Sequence, residues 1–442
     1  MIAKMLAKRK LKVFPGWWTV IASGIISLWW SGVSVYGFAA YLKPIAADLG
    51  LSRAVMSGGG SLGRLEGGIE GPLAGWTTDK YGPRIVSLVG IFFGGLGLML
   101  MYFINSTWSY YVAWGISSFG FNLGIILPLD AAMANWFIRK RGLAISVMRG
   151  MIGFSGITIV PLLTWFMGLY GWRITLVVAG LAMWAIGLPL ARVFVKPHRP
   201  EYYGLLPDGE ALDSADAGDA EAVIRAGVRY AERMEEVEFT LRQALRTPAF
   251  WIMVFANSLH GMVMPAVSMH QIPFLTDMGV DPVVAAAALG WMVLMSTPGR
   301  LLGGVLADRV SVRRLRFILA VAYSLQCLGL FVFLTKQSMT FIYLYLTLYG
   351  LGMGMAIGAG TPLRGRYFGR KGFATIGGAQ NFLNMPVGII APVYAGWTYD
   401  TTGSYMSAFR LITILLVLSV ITICFAFPPK PPAKVTEITN FI

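Results

Sequence analysis

The sequence predicts an all-α integral membrane protein, with twelve transmembrane helices in two pseudo-symmetric six-helix bundles and both termini cytoplasmic. Three observations predict it. Long apolar runs recur along the chain, basic residues alternate sides between those runs, and one loop pattern occurs twice at matching places. Composition agrees: 13% of the 442 residues are charged and 56% are hydrophobic, whereas a soluble domain carries about 25% charged residues. Too little polar surface remains to cover a water-exposed globule. Disorder, collagen and a disulfide scaffold are excluded on the same grounds. Cys327 and Cys424 both lie inside apolar runs, which leaves no disulfide framework and no CxxC metal site.

The apolar runs fall at 17–43, 53–78, 85–104, 108–136, 142–169 and 172–195, then at 249–275, 283–307, 315–335, 339–361, 373–399 and 404–427. Each is long enough to cross a hydrocarbon core about 30 Å thick as a helix. Their many glycines suit close helix packing in lipid. The chain thus divides into an N-terminal bundle, 1–195, a cytoplasmic insert, 196–247, and a C-terminal bundle with its tail, 248–442. The basic start MIAKMLAKRKLK precedes a run too long for a signal-peptide core, so it is read as a cytoplasmic tail before the first span.

Charge placement sets the expected orientation. With both termini on the cytoplasmic side, 28 of the 36 Lys and Arg residues fall in cytoplasmic loops and tails, and five fall outside. That is a strong positive-inside bias. The net charge of +15 is therefore read as topology and not as a nucleic-acid footprint, since no contiguous basic domain exists. Three arginines remain inside spans: Arg64, Arg149 and Arg300. Against them the sequence reading sets two acids at membrane depth, Glu66 and Glu70. The insert holds eleven of the 21 acidic residues. It reads as a flexible linker with a short surface helix near 220–238, where Glu221 with Arg225 and Arg229 with Glu232 have helical spacing.

The repeat is specific. The 2–3 loop reads Gly75-Trp-Thr-Thr-Asp79-Lys80-Tyr-Gly82-Pro-Arg84. The 8–9 loop reads Gly304-Val-Leu-Ala-Asp308-Arg309-Val-Ser-Val-Arg313-Arg314. A second pair precedes the fifth and eleventh spans, Trp136-Phe137-Ile-Arg139-Lys140-Arg141-Gly142 against Tyr367-Phe368-Gly-Arg370-Lys371-Gly372. Two motifs at matching places in two six-span halves indicate duplication, the architecture of alternating-access transporters.

With these motifs the chain resembles the major facilitator superfamily over nearly its whole length. Pro15-Gly16-Trp17-Trp18, the Trp136–Ala144 stretch and Pro298-Gly299-Arg300 are similar to the branch of oxalate–formate antiporters and monocarboxylate transporters. The resemblance implies that Arg300 anchors a substrate carboxylate. It implies that Asp79, Lys80, Arg84, Asp308, Arg309 and Arg313 belong to gate loops that set no substrate specificity. Two departures accompany it. The acid that monocarboxylate carriers often place one turn before the arginine is Ser296 here. The second cation of the oxalate branch, in the eleventh span, is replaced by Gln380, Asn381 and Asn384.

Chemistry gives the remaining candidates. Arg300 lies eight residues before Asp308, about 12 Å up a helix. A cation there costs roughly 2.5–3.5 kcal/mol unless it faces protein or water, and a guanidinium fork suits a carboxylate. Glu66 and Glu70 share a helix face and are candidate proton carriers, or partners of Arg64 or Arg149 in fixed ion pairs. Arg149 is either a second anion contact or a structural partner of those glutamates. His260 is a further candidate proton relay, with Asn257 beside it and His270 and Gln271 farther along the seventh span. Tyr36, Asn122, Tyr345, Tyr349, Asn381 and Asn384 are candidate cavity residues, each also readable as helix packing.

No metal-ligand spacing, nucleophile–base set or cofactor motif is visible. The expectations are therefore no enzyme, no cofactor and no metal. The expected partners are a small organic anion, a proton or counter-anion, and the lipid bilayer of a prokaryotic inner membrane, with the protein acting as a monomer. The sequence-level function is secondary transport of a small organic anion, first a monocarboxylate with protons. An anion exchanger, a drug or neutral-solute exporter, and a membrane sensor signalling through the insert stand as alternatives.

Overall fold

The computed structural model describes residues 13–51, 53–212, 219–263, 267, 271, 274–276, 278–336 and 338–432. The tail residues 1–12 and 433–442, His270 and the side chain of Arg64 lie outside the described residues. An Arg64 ion pair therefore lies outside the described residues.

Every described element is helical or irregular, and the helices follow the apolar runs. The first span comprises Pro15–Trp30, a π-helical stretch Ser31–Tyr36 and Phe38–Leu49. The second is Arg53–Tyr81 and the third Pro83–Leu100. The fourth comprises Thr107–Phe121, a π-helical stretch Asn122–Ile126 and Leu127–Trp136. The fifth and sixth lie in Arg141–Ala182, divided at Gly171, whose φ of 76° and ψ of 168° break the helix. The sixth continues through Met183–Gly187 and Leu188–Phe194. The C-terminal set is Pro248–Gly261, Pro282–Arg309, Leu315–Thr335, Met339–Phe368, Phe373–Thr402 and Met406–Cys424. Seven helical stretches among the described residues are long and apolar enough to span a membrane by length and composition, and one of them, Arg141–Phe194, contains two spans. Large apolar side chains such as Trp165, Val393 and Ile414 stay 60% or more exposed, as lipid contact requires and water does not.

The two large cores lie one in each half, and a small cluster of Ala131, Ala134, Phe373 and Ala374 joins the halves. The halves meet along two seams, the second span on the eleventh and the fifth on the eighth. Both seams depend on glycine at the end where the motif loops lie, here called the basic end. A Cβ on Gly75 would clash with the Ala374 carbonyl oxygen, while Gly71 and Gly378 oppose each other's carbonyls farther up, at the depth of Asn381. Gly142 and Gly304 oppose each other's carbonyls in the same way on the other seam. Toward the far end, Gly156, Gly290 and Gly388 meet nothing within 4 Å. The basic end is the closed one.

Two expectations need correction here. The tenth span runs on to Phe368, so Arg364 and Arg366 are helix residues and not loop residues. Arg141, Arg364 and Arg370 are buried, at 0%, 8% and 5% exposure, and do not lie against a lipid leaflet. The insert is also no loose tether. It contains the expected helix, Ala220–Arg233, but its Asp208 is buried, accepting the backbone N–H groups of Ile138, Arg139 and Lys140 at 2.8–3.1 Å. The 4–5 connection and the insert thereby satisfy each other's polar groups, which a water-solvated linker would not do.

Candidate substrate site at mid-depth

The gate loops close the basic end by reciprocal helix capping. Asp308, at the end of the eighth span, accepts the N–H groups of Gly142 at 2.6 Å and Leu143 at 2.7 Å, in the first turn of the fifth span. Asp79, at the end of the second span, accepts Ala374 N–H at 3.2 Å, Thr375 N–H at 2.7 Å and the Thr375 hydroxyl at 2.6 Å, in the first turn of the eleventh. Each aspartate thus binds the orphan donors and positive dipole end of a helix in the opposite half. The motif cations act locally. Lys80 lies over the Trp76 ring, Arg84 donates to the Val195 carbonyl, and Arg309 and Arg313 are exposed.

Above this closure, the fifth–eighth seam carries the cations. Arg300 is 4% exposed. Its Nη1 donates to the Arg149 backbone carbonyl at 2.7 Å, and it interacts with the Tyr36 hydroxyl at the end of the first π-helical stretch. Its Nε is buried without a hydrogen bond. No carboxylate forms an ion pair with Arg300 among the described residues. Thr297, one turn earlier, lies against Gly153 of the fifth span. Ser296 is fully buried and donates back to the Val293 carbonyl at 2.6 Å, so it supplies no acid beside Arg300.

Arg149 has a partner that the sequence reading omitted. Asp130, in the fourth span and 1% exposed, receives Arg149 Nη2 at 2.5 Å and Nε at 3.2 Å. This bidentate pair replaces the expected pairing with a second-span glutamate and occupies the fork that a second anion contact would use. Arg364 of the tenth span stands 4.0 Å from the same carboxylate and stacks on Phe373. The signal for Asp130 was present, since it is an acid inside the run 108–136.

The acids Glu66 and Glu70 lie instead where the second span packs on the fourth. The Ser118 hydroxyl donates to Glu66. Glu70 is 8% exposed, and its Oε2 is buried without a hydrogen bond. Asn122, opening the second π-helical stretch, donates to the Gly63 carbonyl at 3.0 Å. π-Helical turns are frequent at functional positions, and both Tyr36 and Asn122 occupy one.

The C-terminal candidates separate. Asn381 is exposed. Asn384 accepts from Ser258 at 2.7 Å. His260 lies 3.1 Å from Gln326 Oε1 and stacks on Tyr323, whose hydroxyl donates to Asn257 at 2.7 Å. Tyr345 and Tyr349, at 2% and 0% exposure, belong to the C-terminal core against Phe333, not to the space between the halves. Tyr345 donates to Gln271 at 3.4 Å. For these two tyrosines the packing reading replaces the cavity reading. No cluster of potential metal ligands forms among the described residues.

Two six-span halves joined by reciprocal caps, with an unpaired cation at mid-depth, define a multi-pass membrane carrier. The Major Facilitator Superfamily profile matches residues 24–392, and the chain belongs to that family. It is 22% identical to the oxalate:formate antiporter of Oxalobacter formigenes over 66% of this chain and 64% of that protein. It is 25% identical to monocarboxylate transporter 12-B of Danio rerio over 79% of this chain and 74% of the other. The chain therefore spans just under two thirds of the first relative's length. Among solved structures, the proton:xylose symporter XylE superposes with a TM-score of 0.67 at 12% identity, covering 91% of this chain and 94% of that one. These relatives are transporters and not enzymes.

Proposed function

We propose that the protein is a secondary active transporter of a small organic anion, a monocarboxylate, that works by alternating access and is coupled to protons. The observation that carries this reading is Arg300, a buried mid-depth guanidinium with a free Nε and no ionic partner among the described residues. An uncompensated cation at that depth is costly, and a substrate carboxylate offsets the cost while it is bound. Tyr36 is placed to add a second hydrogen bond. Because Asp130 pairs with Arg149, Arg300 is the mid-depth cation left without a carboxylate among the described residues, which suits a single substrate carboxylate. The names of the relatives, an oxalate:formate antiporter and a monocarboxylate transporter, support the coarser class, an organic anion.

Glu66 and Glu70 are the proposed proton carriers. They are adjacent carboxyls; among the described residues one accepts from the Ser118 hydroxyl and the other keeps a buried oxygen without a hydrogen bond. His260, held between Gln326 and Tyr323, is better explained as packing. The basic end is assigned to the cytoplasm of a prokaryotic cell, and the monomer is the working unit.

The test is uptake of labelled lactate, pyruvate, formate and oxalate into proteoliposomes, with and without an imposed pH gradient. Accumulation of a monocarboxylate that collapses with the gradient is expected. Absence of movement of all four acids under both conditions overturns the reading. Uptake that ignores the gradient but requires internal anion makes the protein an exchanger. In a double Glu66→Gln, Glu70→Gln variant, gradient-driven accumulation should disappear, and its persistence would acquit both residues.

A further inference from the structure

Two insert carboxylates cross between the halves, and each does so from an arm anchored to the opposite side. The first arm follows the sixth span and is fastened to the N-terminal half. Trp136 Nε1 donates to the His198 carbonyl at 3.1 Å, and Asp208 binds the 4–5 connection. From this arm Glu201 accepts Arg370 Nη1 of the C-terminal half at 3.2 Å. The second arm leads into the seventh span and is fastened to the C-terminal half. Phe239 N–H donates to the Phe368 carbonyl at 2.9 Å, and Val237 lies against Gly369. From this arm Glu236 accepts Arg141 Nη2 of the N-terminal half at 2.6 Å, with Arg370 Nε 3.9 Å away. The Arg141 and Glu236 side chains are 1% and 2% exposed, and those of Arg370 and Glu201 are 4% and 11% exposed.

We infer that the insert is a crossed ionic clasp that holds the basic end closed, so that its own carboxylates set the balance between the two access states. The inference rests on the alternating-access reading but not on the identity of the substrate. Without the acids, Arg141 of one half would face Arg366 and Arg370 of the other inside the same buried junction, and like charges from opposite halves would drive that end apart. Arg366 lies within electrostatic range of Arg141, Glu236 and Asp308. Burial by itself would lower the Arg370 pKa, yet Glu201, Glu236 and Glu238 more than offset it and hold the group above its ordinary value. Arg199, paired with Glu238 at 2.8 Å, adds a further cation to the cluster. Buried ion pairs contribute mainly through what their loss leaves behind, an uncompensated charge, and here the charges left behind belong to bodies that must separate.

The test measures distance and not transport. Spin labels at Arg139→Cys and Ser311→Cys place one probe on each half at the basic end, both at exposed positions, in a chain with Cys327 and Cys424 replaced by serine. Electron–electron resonance in lipid nanodiscs, without substrate, should give one short distance for the parent. Glu236→Gln and Glu201→Gln, both isosteric, should each raise the long-distance population at least about tenfold, the loss of a charge-assisted bond. The double variant Arg141→Gln, Glu236→Gln should return toward the parent, because the other bonds of Arg141, to Phe137 and Ala134, stay within its own half. Distance distributions that superimpose on the parent in both single variants overturn the clasp. So does a double variant as open as Glu236→Gln alone, which would make Glu236 a packing residue. A normal distance response in a protein that moves no organic anion would support the clasp and sink only the substrate reading.

Discussion

The two seams between the halves are built alike at the basic end and differently at mid-depth. At the basic end each has a glycine crossing, Gly75 against Ala374 and Gly142 with Gly304. Each also has an aspartate capping the first turn of a helix across the seam, Asp79 and Asp308. At mid-depth the likeness stops. The fifth–eighth seam carries Arg149 and Arg300, whereas the second–eleventh seam carries Asn381 and Gln380, with Glu66 and Glu70 on its flank. The difference teaches what duplication preserves. Closing one end of a two-body machine needs the same contacts from each body, so symmetry survives there. A small substrate has no such symmetry, so residues of the proposed site are free to diverge.

The comparison breaks most readily at Arg300. Arg300→Ala should lower organic-anion uptake more than about 100-fold, within the 2–5 kcal/mol range for removing one partner of a buried charge pair. Arg300→Lys should recover only part of that loss, because an ammonium lacks the planar fork. Asn381→Ala, on the other seam, should cost less than about fivefold, the scale of a single neutral hydrogen bond. Labelled-substrate uptake ranks the three. Equal losses at Arg300 and Asn381 would mean that both seams hold substrate and that the asymmetry is incidental.

The symmetric part is tested by Asp79→Asn and Asp308→Asn. Each weakens charge-assisted bonds to two backbone donors. Each should therefore lower maximal uptake about tenfold, while the substrate concentration at half-maximal rate stays unchanged. The two losses should agree within a factor of two or three. A large effect of one and none of the other would show that only one seam bears the closing load.

Much of the fold was legible because it is written in period and repeat. Twelve apolar runs and the unequal basic loops follow from a bilayer about 30 Å thick, and the two copies of the Asp-containing loop follow from duplication. Arg300 was legible too, as a cation with no acid on its own span. Asp130 was not found, although it lies in plain view within the fourth run. Nothing in the local sequence ties that acid to a particular arginine. An ion pair between the fourth and fifth spans needs a partner 19 residues away, and helix packing supplies it. The insert was misread for a related reason. Its acidic composition resembles that of a solvated linker, and only the fold shows that Arg141 and Arg370 wait for Glu236 and Glu201. Tyr345 and Tyr349 carry both readings in sequence, since a polar atom on a membrane helix looks the same whether it faces a cavity or a core.

Asp130 and Glu70 allow a stability comparison between acids at similar depth. Asp130→Asn removes the partner of Arg149 and should destabilise by about 3 kcal/mol or more, seen as a thermal midpoint in detergent lowered by several degrees. Glu70→Gln removes a charge whose Oε2 has no bond to lose, and the midpoint should hold or rise. The opposite order would place the structural acid on the second span and free Asp130 for transport.

The smallest effect is expected at Tyr349. Its hydroxyl is fully buried and has no hydrogen-bond partner, while its ring packs against Tyr345 with centroids 5.9 Å apart. Tyr349→Phe keeps the ring and deletes only the unsatisfied oxygen. Leaving a buried hydroxyl unpaired costs about 1–3 kcal/mol, so its removal should raise the thermal midpoint slightly and leave uptake within about twofold of the parent. A fall in uptake comparable to that of Arg300→Ala would place the hydroxyl on the substrate path in the opposite access state. The C-terminal core would then be a surface that opens, and the divergence between the seams would extend into the bundle behind them.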